Sequence, residues 1–418
     1  MHGPPERSYL DYWHSCNQLI NIFAVGLTWA IFATVNLLSS KRDVLAAVGS
    51  AQLIGALVGS TAGEKAYRSF NDQKVLIVAT LIYATSAAQI PVFSKLWALR
   101  TMGFVSGVAA GITVVGSQTR LIRTWRRLSA AALQAFVAAF GIGVALGPIL
   151  SRYLQKLLTV ELNVPREDAD LWIPSATPGV IFILALLSMV GAWKADSVGI
   201  NESRRHLSNR ARKRKVDGNI LMTLLFFYIL ILAHTVNTYG NSLWVSVNKN
   251  ILLIILEMAR SLDLEFTFWT ILLMGQVVGI SFTIFMKTPR LLYWSHVMTL
   301  MASGLMLAVE PSKGTIRLGT LLIGLGSSTL YGAAIGFCFQ FLEVRHSHVS
   351  VVSSAIFVGV IYSSYSMPLV VDGLPMLLPW YTGVGNLLHF MLLLNLFLCM
   401  QGREPARGKR KPTAFEKF

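Results

Sequence analysis

Charged residues are scarce in this sequence. Only 13% of the 418 residues are charged, whereas a soluble globular domain carries about a quarter of its residues as Asp, Glu, Lys and Arg. Hydrophobic residues make up 54% of the chain, and its mean hydropathy is +0.57. This composition excludes an ordinary soluble domain and indicates an integral membrane protein with the lipid bilayer as its solvent.

Cysteines and acidic residues are also few. Cys16, Cys338 and Cys399 lie far apart without metal or redox spacing, so we expect no disulfide framework, no zinc site and no other cofactor. The 20 acidic residues face 36 basic ones, giving a net charge of +16. Because the basic residues fall mainly in loops, they are expected to set topology and meet anionic lipid head groups, not to bind nucleic acid.

Twelve hydrophobic stretches are long enough to cross a bilayer, which requires about 18 or more apolar residues. They lie at 17–38, 44–62, 75–92, 97–118, 128–150 and 177–195, and then at 218–238, 264–286, 291–309, 316–340, 350–371 and 378–400. The stretch 246–263 is apolar only in its centre, and we expect an extracellular loop there. The sequence therefore predicts an all-α protein with twelve transmembrane helices in two six-helix halves.

The two halves are separated by a basic run from Ser203 to Lys215. The predicted parts are an amino-terminal segment 1–16, a first half 17–195, a basic linker 196–217, a second half 218–400 and a basic tail 401–418. Clustered Lys and Arg stay on the cytoplasmic face of a membrane. An even number of spans then places both termini in the cytoplasm, and we expect a multi-pass protein of the plasma membrane. The alternative, a nuclear-localisation or nucleic-acid patch, is disfavoured by the membrane spans on both sides of the run.

The predicted spans lack the paired carboxylates, histidine cluster and activated nucleophile of an active site, so we expect no enzymatic activity. They do contain neutral hydrogen-bonding side chains, which are costly at membrane depth unless they face a wet cavity or a partner helix. Amides and hydroxyls beside an aromatic ring suit a neutral, hydroxyl-rich solute such as a sugar. The candidate solute-binding residues are Gln118, Gln134, His234, Asn237, Tyr239, Asn241, Trp244 and Trp269.

The densest polar patch runs from His234 to Trp244, at the predicted extracellular end of the seventh span. On a helix, His234, Asn237 and Asn241 fall at i, i+3 and i+7 and share one face. The alternative interpretation is a polar helix end wetted at the membrane interface. A single histidine such as His234 is more often structural than a proton relay.

Several short motifs resemble those of the major facilitator superfamily. The stretch Ala233–Asn241 is similar to a seventh-span signature, an acidic residue followed by Thr-Tyr-Gly-Gly, of the branch holding the sodium-dependent glucose transporter and the bacterial fucose permease. Further matches are Leu133-Gln134, Phe140-Gly141 with Gly143, Leu146-Gly147-Pro148, Phe268-Trp269 with Gly275-Gln276, Thr288-Pro289-Arg290 and Gly324-Leu325-Gly326-Ser327-Ser328. The resemblance implies inverted three-helix repeats around a midplane solute site, with transport by rocking of the halves.

The sequence departs from this branch where ion coupling would reside. Val114 stands where the branch commonly has a fourth-span carboxylate, and Asn237 stands at the acidic position of the seventh span. In the loop after the second span, Arg68-Ser69 replaces the Asp-Arg pair that the superfamily expects. Proton coupling usually rests on an intramembrane acid, and sodium coupling on carboxylates or converging carbonyls. These departures favour uniport over symport, with His234 as the remaining titratable candidate.

We therefore expect a monomeric transporter of a small neutral polar solute, with a hexose such as glucose as the expected solute and alternating access as the mechanism. The alternative is a facilitator-fold protein that no longer transports and acts as a receptor or membrane scaffold. The departures from the family motifs favour that alternative, while the polar patch in the seventh span favours transport.

Overall fold

The computed structural model consists almost entirely of long helices. It describes residues 9–38, 42–89, 93, 95–161, 165, 186–187, 189–191, 218–248, 264–308, 313–342, 344–373 and 377–401. The predicted sixth span at 177–195 lies mostly outside these residues, and so do the basic linker and the basic tail. No strand occurs within the described ranges.

The described part of the chain contains eleven α-helices. They are α1 Tyr9–Leu38, α2 Arg42–Ser69, α3 Asp72–Gln89, α4 Leu96–Trp125, α5 Ser129–Lys156, α6 Gly218–Asn248, α7 Leu264–Phe285, α8 Thr288–Ala308, α9 Lys313–Cys338, α10 His346–Gly373 and α11 Leu377–Met400. Each coincides with one of the predicted spans other than the sixth. Helix α6 continues to Asn248, so the first residues of the stretch expected to be a loop are helical, and 249–263 lie outside the described residues.

The helices are suited to lipid by length and composition. Eight of them, α4 to α11, are each long and apolar enough to cross a membrane. Helix α2 has a lower mean hydropathy because charged residues lie at both of its ends, and Gly, Ala, Ser and Thr occupy many positions between them. The chain is thus an all-α integral membrane protein, as the sequence predicts.

The helices pack as two halves that meet along two seams. In the first half, α2 packs along α4 and α1 along α5; in the second, α8 packs on α9 and α6 on α10. The halves touch where α5 meets α7 and α9, and where α2 meets α10. One end of the bundle holds the α2–α3, α4–α5, α7–α8 and α9–α10 connections. We call it the basic end, because Arg68, Arg126, Lys287, Arg290 and Arg345 lie there.

Close contact between α2 and α4 depends on glycine. A Cβ atom added at Gly107 of α4 would collide with the backbone carbonyl oxygen of Gln52 on α2. A Cβ added at Gly59 of α2 would likewise collide with the carbonyl oxygen of Val108 on α4. Small residues allow helix backbones to approach closely in lipid, where packing replaces the hydrophobic effect as the driving force. The first half is therefore intolerant of side chains along this seam.

We expect Gly107→Ala to lower the thermal stability of the purified protein, because overpacking of this kind costs about 1–3 kcal/mol. Gly304→Ala on α8 is the matched control, since a Cβ there meets no atom within 4 Å. That control should be neutral or slightly stabilising, because alanine favours a helix over glycine by up to about 1 kcal/mol. Thermal unfolding in detergent compares the two, and equal melting temperatures would refute the close-packed α2–α4 seam.

Candidate solute site between the two halves

Gln134 of α5 is buried where the two halves meet. Its side chain is fully buried, and its Nε2 donates to the backbone carbonyl of Ser328 on α9 over 2.7 Å. Its Oε1 has no hydrogen-bond partner among the described residues. Two glycines leave room for the amide: a Cβ at Gly332 would lie 2.7 Å from Oε1, and one at Gly279 3.2 Å from Nε2. The amide thus joins the halves through one atom and keeps an acceptor available.

Gln118 of α4 is a second amide at the contact between the halves. Its Nε2 donates to the Tyr331 hydroxyl on α9 over 2.7 Å, and its Oε1 accepts from the Ser353 hydroxyl on α10 at 3.3 Å. Tyr331 lies one helical turn from Ser328, which bonds to Gln134. Both glutamines therefore reach the same helix of the second half from neighbouring helices of the first.

Trp29 of α1 belongs to the same region and was not among the predicted site residues. Its ring centroid lies 6.2 Å from that of Phe140 on α5, in an edge-on arrangement, and 6.1 Å from that of Phe357 on α10. Its indole Nε1 is buried without a hydrogen-bond partner among the described residues. Its position in the middle of the first predicted span is the signal that could have identified it, because tryptophan is enriched at the membrane–water interfaces and is less usual in the membrane core.

Tyr239 and Trp269 lie within the second half instead. The Tyr239 hydroxyl hydrogen-bonds with that of Thr320 over 2.9 Å, and its ring packs edge-on against Phe268. Trp269 also packs edge-on against Phe268, and its ring fills the space beside Gly240. Through these contacts the two residues join α6, α7 and α9 inside one half.

The polar patch of α6 points in several directions. His234 hydrogen-bonds through Nε2 to the Tyr381 hydroxyl on α11, and its ring lies 4.6 Å from that of Tyr362 on α10. The Nδ2 of Asn237 donates to the carbonyl of Ala233 on its own helix over 2.7 Å. The side chains of Asn241 and Trp244 lie outside what the structure describes. Among the candidate residues whose side chains are described, Gln118 and Gln134 are the two that bond across to α9.

A buried histidine pair lies in the second half, where the sequence predicts no histidine cluster. The rings of His296 on α8 and His389 on α11 lie 4.7 Å apart, beside Tyr228 of α6. The Nε2 of His296 is 3.4 Å from the Tyr228 hydroxyl, and its Nδ1 bonds to the carbonyl of Leu292. The two histidines are far apart in sequence, so no local motif could reveal them. In the described ranges no group of three or more His, Cys, Asp or Glu side chains could hold a metal ion.

Near the basic end, the halves are held together by short polar contacts. The hydroxyls of Ser60 on α2 and Ser354 on α10 lie 3.0 Å apart, and the Ser350 hydroxyl donates to the Ser60 carbonyl over 2.6 Å. Further toward this end, Asp72 of α3 bonds to His346 at the start of α10 over 3.1 Å. These contacts close the basic end between α2, α3 and α10.

Sequence comparison gives no family for the chain: no protein-family model matches it, and no curated protein matches it significantly. Solved structures match it over nearly its whole length. The Escherichia coli fucose:proton symporter FucP superposes with a TM-score of 0.68 at 12% identity, over 92% of this chain and 98% of that one. The chain has the major facilitator superfamily fold.

Two further structures show how widely this fold is used. The proton:xylose symporter XylE, bound to 6-bromo-6-deoxy-D-glucose, matches with a TM-score of 0.61 at 11% identity, over 93% of this chain and 96% of that one. A bacterial homologue of the iron transporter ferroportin, outward-facing with soaked iron, matches with a TM-score of 0.68 at 13% identity, over 93% and 99% of the two chains. These superpositions establish the predicted major facilitator fold. At identities this low they show the fold alone, so the sugar-transporter branch suggested by the motifs stays a prediction.

Proposed function

We propose that the protein is a membrane transporter of a small neutral polar solute, a hexose such as glucose, and that it works by alternating access between its halves. The observation that carries this proposal is Gln134, a fully buried amide between the halves whose Oε1 lacks a partner among the described residues. An unmet buried acceptor costs about 1–3 kcal/mol. A solute hydroxyl would donate a hydrogen bond to Oε1 of Gln134 when the two halves separate.

A neutral solute fits the chemistry around Gln134. The polar side chains bonded at Gln118 and Gln134, together with the Trp29 indole, are amides, hydroxyls and an N–H group, none of which carries charge. The rings of Trp29, Phe140 and Phe357 offer apolar surface for one face of a sugar ring. The ferroportin homologue makes iron the rival cargo, but the described residues contain no cluster of three or more metal-binding side chains.

Uniport is the coupling mode that these residues support. Val114 is buried at the fourth-span position where related transporters carry an acid. Asn237 occupies the acidic position of the seventh span and bonds to its own helix. His234, the titratable candidate from the sequence, is hydrogen-bonded to Tyr381, and the buried pair of His296 and His389 packs within the second half. Coupling to an ion needs a group whose charge or coordination changes with that ion. We therefore propose that the solute moves only down its own concentration gradient. We also propose that the protein works as a monomer.

We infer that the protein lies in the plasma membrane with its basic end, both termini and the linker in the cytoplasm, because basic residues recur in the loops of that end. A cysteine introduced as Arg210→Cys, in a chain without Cys16, Cys338 and Cys399, should react with an impermeant thiol reagent only after permeabilisation. Lys156→Cys, at the far end of α5, should react on intact cells. Labelling of the Arg210→Cys variant on intact cells would invert this topology.

The rival function is a receptor or scaffold with the same fold but no transport. The test is uptake of labelled hexoses by proteoliposomes that contain the purified protein. Time-dependent uptake above that of protein-free liposomes is the expected result for at least one hexose. A hexose that raises the melting temperature without entering the liposomes would favour the receptor, and no response to any hexose would overturn the proposed solute class.

A further inference from the structure

An apolar groove lies at the basic end of the second half, between the last turns of α9 and α11. Its volume is about 540 Å³, within the range of about 300–1,000 Å³ that is usual for ligand sites. Among the described residues that line it, Gln401 alone is polar. One wall holds Phe337 and Phe341, and the other holds Leu394, Phe397, Leu398 and Gln401.

Ring contacts hold the two walls of the groove together. The backbone makes one further turn at the end of α9, where the N–H of Phe341 donates to the carbonyl of Cys338 over 3.0 Å. This turn sets the ring of Phe341 edge-on to that of Phe337, with centroids 5.5 Å apart. The ring of Phe337 also packs edge-on against that of Phe397 on α11, again at 5.5 Å. The groove is therefore formed by packed aromatic rings of both helices.

The groove continues the surface that α11 presents to lipid. Helix α11 is long and apolar enough to cross a membrane. Its exposed apolar residues recur at helical spacing and form one stripe, made of Val384, Leu387, Leu388, Met391, Leu394 and Leu398. The last two of these also line the groove, and Leu398 is 66% exposed. An occupant of the groove would therefore enter from the bilayer, where acyl chains match its apolar walls.

Basic residues follow each wall of the groove in the sequence. Arg345 is exposed and comes four residues after Phe341. The basic tail begins directly after the other wall, and it has five basic residues within nine positions: Arg403, Arg407, Lys409, Arg410 and Lys411. Clusters of four to eight Lys and Arg residues immediately after a membrane span attract anionic lipids of the cytoplasmic leaflet.

The groove and the charges have different tasks in recognition. An acyl chain gains little by leaving the bilayer for an apolar groove, because lipid tails are as apolar as leucine. The groove therefore fixes where the lipid lies but does not select among lipids. Selection among lipids depends on the head group, and a positive cluster favours a negative head group over a zwitterionic one.

We propose that the groove and the basic tail together bind one anionic phospholipid of the cytoplasmic leaflet. The lipid lays an acyl chain between the ends of α9 and α11, and its phosphate head group meets the basic residues that follow Gln401. This site goes beyond the proposed transport function. It rests on the cytoplasmic position of the basic end and not on the identity of the solute, so hexose uptake does not bear on it.

Lipid retention measured by native mass spectrometry tests the site. The full chain, purified in detergent, is incubated with phosphatidylserine or with phosphatidylcholine that has the same acyl chains. We expect one phosphatidylserine to be retained about tenfold more tightly, which one to two basic residues near a charged surface supply. Equal retention of the two lipids would overturn the proposal.

Filling the groove should remove this preference. The variant that carries Leu394→Trp and Leu398→Trp places two bulky rings in the groove and should retain the two lipids equally. Leu387→Trp with Leu388→Trp is the matched control, because these exposed residues belong to the same stripe of α11 but do not line the groove. The control should keep the preference. Full preference in the filled groove would show that the lipid binds elsewhere.

Variants of the basic tail separate the lipid from a rival occupant, the tail itself. Replacing its five clustered basic residues by glutamine leaves the groove unchanged and should lower retention of phosphatidylserine to that of phosphatidylcholine; a surviving preference would overturn the proposal. Phe415→Ala with Phe418→Ala removes the aromatic residues of the tail and should leave retention unchanged. A rise in retention would show that the tail occupies the groove and would contradict the lipid site.

Discussion

Joining positions 60 and 354 by a disulfide is expected to reduce solute uptake to the level of protein-free liposomes. The hydroxyls of Ser60 and Ser354 lie 3.0 Å apart on α2 and α10, in opposite halves. Two side chains in such contact suit a disulfide, which needs Cβ atoms about 3.5–4.5 Å apart. Because α2 and α10 must separate before the basic end can open, the covalent bond should leave the protein in one conformation. Reduction with dithiothreitol should restore uptake.

The matched control is a disulfide within one half. The hydroxyls of Ser295 on α8 and Thr329 on α9 lie 2.6 Å apart, and both helices belong to the second half. Oxidation of the Ser295→Cys, Thr329→Cys variant should leave uptake nearly unchanged, since these helices move together. Full uptake by the cross-linked Ser60→Cys, Ser354→Cys variant, with cross-linking verified by mass spectrometry, would show that α2 and α10 need not separate.

Gln134→Ala is expected to lower solute uptake about tenfold while leaving folding of each half nearly intact. The substitution removes the hydrogen bond to Ser328 and the acceptor that we assign to the solute. A lost hydrogen bond costs about 0.5–1.5 kcal/mol, and more where its partner stays buried and unsatisfied. Because Gln134 lies at the contact between the halves, this cost falls mainly on solute binding and exchange. The same direction is expected for Asn241→Ala, on the sequence argument alone.

Uptake by Gln134→Ala is measured per molecule of reconstituted protein, beside its thermal stability. Asn395→Ala is the control, because this amide on α11 is exposed and donates to the carbonyl of Met391 on its own helix. It should transport as the unsubstituted protein does. Normal uptake by Gln134→Ala at normal stability would remove Gln134 from the site.

The helical bundle follows from the sequence because the bilayer imposes a simple requirement. A spanning helix needs about 20 largely apolar residues, and a stretch of this length can be recognised in the sequence without knowledge of tertiary contacts. The predicted spans other than the sixth coincide with helices in the described residues. Helix ends were less predictable. Helix α1 begins at Tyr9 and α6 ends at Asn248, beyond the predicted spans, since hydropathy marks the membrane core and not the limit of helical hydrogen bonding.

The sequence predicts only part of the candidate site. Gln118 and Gln134 stood out because an amide in an apolar helix is costly. Tyr331 and Phe357 did not, because aromatic residues are ordinary in such helices, and their role depends on partners from the other half of the chain. The basic end shows the same limit. Arg68-Ser69 departs from the family's gating motif, yet Asp72, a few residues later, supplies a carboxylate that reaches the second half.

Concentrative uptake is the measurement that tests the central claim most directly. Proteoliposomes are loaded so that a sodium or proton gradient points inward, and the internal concentration of a labelled hexose is followed to its plateau. For a uniporter the internal hexose concentration at the plateau equals the external concentration, with or without the gradient. In the cross-linked Ser60→Cys, Ser354→Cys variant, the internal concentration should not rise to this plateau. Accumulation above the external concentration on either gradient would contradict uniport, and no entry of any hexose would contradict the proposed transport of this solute class.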